Sequence, residues 1–168
     1  MKKSRSSLFL IELTISILFF ALASAACIQL FVKAHLLDTK TQETNQAVVW
    51  SQNLAELWNA SNADILFVYS LLCEQYGSEQ NGFYMNNAGD SIFFFFDENW
   101  EFSDGADTRI VYRIDFADNG YHAETGLHTA EITFIKNIFG NDGSVTEYET
   151  LYTLPLQYHT AIKGGYSH

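Results

Sequence analysis

Leu8-Phe9-Leu10-Ile11-Glu12-Leu13-Thr14-Ile15-Ser16-Ile17-Leu18-Phe19-Phe20-Ala21-Leu22-Ala23-Ser24-Ala25-Ala26-Cys27-Ile28-Gln29-Leu30-Phe31-Val32 is an apolar run with one charge in it, that of Glu12. The 20 residues from Leu13 to Val32 carry no charge. As a helix they span roughly 30 Å, the thickness of a bilayer's hydrocarbon core. The leader Met1-Lys2-Lys3-Ser4-Arg5-Ser6-Ser7 precedes them. Its three cations hold the N-terminus in the cytoplasm and send the C-terminal bulk outward. The sequence therefore predicts a single-pass protein of the cell membrane, largely extracytoplasmic, with lipid as one partner.

Glu12 is the anomaly. An ionised carboxylate at the edge of hydrocarbon is unfavourable without a partner. No Lys, Arg or His falls between Glu12 and Lys33, so the span has no cation of its own. Two readings stand: Glu12 reaches the headgroup region, or another chain supplies its partner and the charge sets the register of assembly.

The hexad Leu8-Phe9-Leu10-Ile11-Glu12-Leu13, behind a short basic leader and ahead of an apolar helix, resembles the prepilin N-terminal motif of type IV pilins and type II secretion pseudopilins. The resemblance implies that a prepilin peptidase cuts the leader between Ser7 and Leu8 and methylates the new N-terminus at Leu8. It also implies that Glu12 neutralises the terminal ammonium of a neighbouring subunit during assembly. Three positions depart from the family pattern: Ser7 replaces the usual Gly, Leu8 the usual Phe, and Gln29 the Pro that kinks the helix of major pilins. These departures favour a minor subunit. The expected partners are other pilin or pseudopilin subunits, the prepilin peptidase and an inner-membrane assembly platform. The expected machine is a type II secretion, type IV pilus or competence-type system of a bacterium. Asn59-Ala60-Ser61 matches a glycosylation sequon, which that setting leaves idle.

Other readings of the segment remain open. Ala23-Ser24-Ala25 fits a signal-peptidase site, although the apolar character continues past it to Val32. Ala25-Ala26-Cys27 faintly resembles a lipoprotein attachment site, with Ser24 in place of the usual Leu. A plain anchor carrying an extracytoplasmic ligand-binding module differs only in what Glu12 does.

The first 76 residues contain neither Gly nor Pro, so nothing obliges a helix to stop. Asp38 to Gln46 is polar on all sides. Ala47, Trp50, Leu54, Leu57 and Trp58 then form a helical stripe able to pack on a sheet, with Gln52, Asn53, Glu56 and Asn59 outward. The predicted segments are a leader over 1–7, a membrane half-helix over 8–32, an extracytoplasmic half-helix over 33–61 and a globular domain over 62–168. A second helix is predicted over Ala63 to Tyr76, N-capped by Ser61 or Asn62, ended by Gly77, and well covered on most sides.

Beyond Gly77 the texture is that of strands. Phe83 to Met85 and Ile92 to Phe96 flank a turn at Asn86 to Asp90, and a second turn at Asp97-Glu98-Asn99 follows. Arg109 to Phe116 alternates, with Ile110, Tyr112, Ile114 and Phe116 on one face. Asp118-Asn119-Gly120 and Gly140-Asn141-Asp142-Gly143 read as hairpin turns around Leu127 to Ile138, and Val145 to Leu154 closes the sheet before Pro155. The fold class expected is α+β: a long helix and a short helix packed on an antiparallel meander.

Past Val32 there are 19 acidic residues, 20 less Glu12, against 6 basic ones, 9 less the three in the leader, for a net of −13. Such an exterior repels nucleic acid. Cys27 and Cys73 fall in different segments, and Cys73 reads as a small buried residue. No nucleophile, zinc or phosphate-loop motif occurs, so no catalytic residue and no enzyme are expected. Two weak metal sets stand out. Asp97, Asn99, Glu101, Asp104 and Asp107 crowd oxygen ligands into one loop able to hold Ca²⁺, though without the Gly of an EF-hand. His122 and His128, with Glu124 and Glu131, flank a turn at Gly126, where surface histidines are the plainer reading.

Overall fold

The computed structural model describes residues 4–77, 82–104 and 109–159, with side-chain surroundings from Leu8 onward. The chain forms two compact units, Met1–Glu43 and Thr44–His168. Its first helix, α1, runs over Ser4–Ala60, 57 residues.

In the first unit α1 is exposed throughout its apolar run; only Ser24 is half-covered. The hydroxyls there satisfy themselves. Thr14, Ser16 and Ser24 donate to the carbonyls of Leu10, Glu12 and Phe20, four residues back, at 2.7 to 2.9 Å. This bonding removes the cost of a hydroxyl in an apolar surrounding without any second chain.

The second unit is α+β. Within it, the last turns of α1 bury Ala47, Ser51, Leu54 and Trp58, four positions at spacings of four, three and four. The Ser51 hydroxyl bonds the Ala47 carbonyl, which makes its burial tolerable. α1 ends in a Schellman motif. Ala63 N donates to the Trp58 carbonyl at 2.9 Å and Asn62 N to that of Asn59 at 3.2 Å, with Asn62 left-handed at φ 57°. Ala63 and Trp58 are both buried, which supplies the motif's apolar contact.

Helix α2 spans Ile65–Tyr76. Its N-cap is Asp64, whose Oδ1 accepts from the amides of Leu66 and Phe67. The cap thus lies beyond Ser61 and Asn62, because the Schellman turn uses those residues to end α1. The expectation that α2 is well covered also fails: Ile65, Val68 and Leu72 are buried, but Leu66 and Phe67 are at least half exposed.

Five strands follow: β1 Phe83–Met85, β2 Ser91–Phe96, β3 Tyr112–His122, β4 Leu127–Phe139 and β5 Val145–His159. They form one antiparallel meander in chain order. Alternation assigns the faces. Phe94 pairs with Ile114 and Ile114 with Phe134, while Ile92 pairs with Phe116 and Phe116 with Ile132. All six side chains are buried and meet Ala47, Leu54, Trp58, Val68 and Leu72 of the helices in one core. Each such aromatic or aliphatic side chain contributes on the order of 1.5–3 kcal/mol by leaving water.

Two turn assignments change. Asp118-Asn119-Gly120 is no hairpin: β3 continues through it, and the register slips there as a bulge with Gly120 at φ 85°. Asp118 Oδ1 accepts the Gly120 amide, the same local bond that a turn would use, and so the sequence signal is shared. The chain reverses instead at Ala123 to Gly126, where the amide of Gly126 bonds the His122 carbonyl. Nor does Pro155 end the sheet. It lies inside β5, opposite Glu131. β5 pairs on one side only, and an edge strand tolerates a missing N–H.

Candidate functional site

The carboxylate singled out by the sequence sits in the exposed run of α1. Leu8, Ile11, Leu13 and Ile15 around Glu12 are each about half exposed or more. Among the described residues the Glu12 carboxylate has no hydrogen-bond or ion-pair partner, whereas the hydroxyls of Thr14 and Ser16 beside it bond α1's own carbonyls, Ser16 that of Glu12 itself. The run is long and apolar enough to cross a membrane. Ser7 lies in the helical backbone, with its side chain outside the described residues. Cys27 and Cys73 are free thiols, the first exposed and the second half-buried against the core.

The oxygen-rich loop is a turn. Asp97 is nearly buried and turns its Oδ1 onto the amides of Asn99 and Glu101, at 2.8 and 3.0 Å. This closes an Asx-type turn. Trp100 takes a left-handed conformation, φ 64°, and lays its ring on Tyr112 at 4.2 Å and 12°. Among the described residues no three His, Cys, Asp or Glu side chains converge as a metal would require, and Asp107 lies outside those residues. Of the expected oxygen ligands Asp97, Asn99, Glu101 and Asp104, the Asp97 Oδ1 is engaged by backbone amides of its own turn.

Nor are the histidines a pair. In the β3–β4 hairpin His122 stands opposite Leu127 and His128 opposite Tyr121, so alternation turns the two side chains to opposite faces. His122 Nε2 meets Thr129 Oγ1 at 3.0 Å. His128 Nε2 meets Asp118 Oδ1 at 2.7 Å, and its ring stands edge-on to Trp58 at 5.8 Å. The Asp118–His128 contact is invisible in the sequence because it depends on the bulge that extends β3.

On the outer face of the sheet Arg113 meets Asp115 through two contacts, Nη2 to Oδ2 at 2.8 Å and Nε to Oδ1 at 2.7 Å. Burial pushes the Asp115 carboxyl above its usual pKa, and the adjacent guanidinium only partly offsets this.

A hollow of about 460 Å³ in the second unit is a groove between the last turns of α1 and α2. Leu54 and Leu72 form its floor, Trp50 and Tyr76 its walls, and Asn53 and Glu56 stand at its rim. It contains no acid–base pair and no nucleophile. What this arrangement offers is contact: an exposed apolar helix with one unpartnered carboxylate, and a compact acidic unit with a groove beside a helix. The chain matches no known family model, no curated protein and no solved structure.

Proposed function

We propose that this chain is a minor pilin- or pseudopilin-like structural subunit of a type II secretion, type IV pilus or competence-type machine. One observation carries the reading. The hydroxyls of Thr14, Ser16 and Ser24 bond their own helix, whereas the Glu12 carboxylate, the one charge of the run, has no partner among the described residues. A carboxylate so placed is costly in lipid and favourable beside a cation from another chain. In the proposed mechanism α1 stores the subunit in the membrane, and the peptidase removes residues 1–7. The ammonium freed at Leu8 of one subunit then meets Glu12 of the next, which fixes their stagger. The fold is in keeping with this role: a long helix followed by an α+β unit whose sheet is a simple meander.

N-terminal sequencing of the mature protein tests the processing step. A start at Leu8 with a methylated amine is the expected result; an intact Met1, or a start at Ala26, sinks the proposal and favours an anchored binding module or a secreted form. Glu12→Ala is expected to leave membrane insertion intact and to abolish incorporation into filaments or co-isolation with other subunits. Unchanged incorporation removes the role given to Glu12.

A further inference from the structure

The groove between α1 and α2 has a chemistry that selects its occupant. Its floor and walls are apolar, and Trp50 and Tyr76 are only half-buried, with their rings 6.1 Å apart. Apolar walls of this kind gain by excluding water. Between Thr41 and Tyr76 the sequence holds no Lys, Arg or His, while Glu56 stands exposed at the rim. The complement is a helix with a narrow apolar ridge and a cation beside it.

This chain carries such a helix. Leu30, Lys33 and Leu37 follow one another at spacings of three and four and so share one face of α1, while His35 falls on the opposite face and Asp38 on its flank. Leu30 and Leu37 are two-thirds exposed. Asp38 is engaged by Gln42 on its own side.

We infer that the groove receives the Leu30–Lys33–Leu37 face of α1 from a second copy of this chain, with Lys33 against Glu56. The inference rests on the subunit reading above and adds a contact between copies farther apart along the assembly than the pair joined through Leu8 and Glu12, which are only 4 positions apart, 12 less 8. Lys33 and Glu56 are 23 positions apart, 56 less 33, so the two copies are shifted lengthwise and not in register. Copies seated at equal depth in a bilayer do not make this contact. An assembly that draws one copy outward past another does.

The test is disulfide trapping in the full-length chain, in its own membranes, with Cys27→Ser and Cys73→Ala as background. Copies bearing Leu30→Cys and copies bearing Asn53→Cys, 23 positions apart as Lys33 and Glu56 are, are produced together with different tags. The expected result is a mixed dimer that neither forms alone and that falls about fivefold when Gln52→Cys, on the exposed side of α1, replaces Asn53→Cys. Glu56→Lys is expected to lower the yield by about fivefold, the worth of one good surface ion pair, and Lys33→Glu on the partner copy to restore it. Three results overturn the inference in distinguishable ways. Trapping that is absent while Glu12-dependent association persists removes the groove contact and spares the subunit reading. No self-association in the unsubstituted chain removes both. Trapping of Asn53→Cys on a different protein gives the groove another occupant.

Discussion

Asn62 and Gly82 show how single backbone positions hold the second unit together. Asn62 ends α1 in a left-handed turn and accepts a hydrogen bond from the Tyr158 hydroxyl at 2.9 Å, tying the helix corner to β5. Gly82, at φ 91°, would set a Cβ 2.7 Å from the Ser103 amide nitrogen, closer than real contacts come. Gly120 has a similar φ of 85° but open space around it. Gly120→Ala is therefore expected to cost about 1 kcal/mol, the left-handed penalty alone. Gly82→Ala is expected to cost clearly more, because backbone must move as well. Urea midpoints of the two variants give the comparison, and equal losses would refute the steric argument.

Acid stability follows from the same scale. The Asn86 amide and the Ser91 hydroxyl hold the Asp90 carboxyl below its usual value of 3.8, and Ser144 does the same for Asp142. A carboxyl whose folded pKa is depressed stabilises the fold above its unfolded pKa. That contribution is lost as pH falls through the folded value. Asp115 has the opposite sign: its raised pKa makes stability fall as pH rises from 3.8 through the folded value. Asp90→Asn is thus expected to flatten the loss of stability below pH 3.8, read from urea midpoints between about pH 2 and 5. An unchanged acid slope would show that the Asn86 contact contributes nothing.

At the scale of elements, strands were more legible than their ends. The alternation of Tyr112, Ile114 and Phe116 identified the buried face of β3 because period two is a local property. The Asp118 bulge and the run of β5 through Pro155 escaped, because each depends on which strand lies alongside, and turn chemistry at Asp118-Asn119-Gly120 serves a bulge as well as a hairpin. α2 misled for another reason. Its apolar residues encircle it, and only tertiary placement decides that Leu66 and Phe67 stay outside.

Pro155 also protects. β5 has 15 residues, an edge with no partner strand among the described residues, and only Glu147 and Glu149 as charges along its length. Long edges of that kind recruit further strands, and a proline denies them a donor. Pro155→Val is expected to keep the fold and to raise concentration-dependent aggregation of the protein in detergent, measured by light scattering. A variant no more aggregation-prone than the parent would place the protection elsewhere.

For the whole molecule, the long helix was plain in the sequence, from the absence of Gly and Pro before Gly77, and the acidic balance from the charge count. The described cations of the second unit lie over rings: Arg109 over Phe139, Arg113 over Tyr148 and Lys136 over Tyr112. Their charges are thus partly spent within the fold, and the surface is left to carboxylates, which favours solubility. Residues 44–168 contain a complete core of their own. Expressed without residues 1–43, they are expected to fold cooperatively and stay soluble without detergent, as followed by circular dichroism and size-exclusion chromatography. A fragment that is unfolded in isolation would make the first unit part of the folding nucleus.

Trp50 stands 5.1 Å from Phe96, 5.8 Å from Phe102 and 6.1 Å from both Phe94 and Tyr76. One indole thus touches α2, β2 and the loop that follows β2, segments far apart in the chain. Its surroundings are chiral and rigid only when helix and sheet are docked. The ring is in consequence a built-in optical gauge: with Trp58 and Trp100 replaced by Phe, its near-ultraviolet dichroism and its emission report the seating of the last turns of α1 on the sheet.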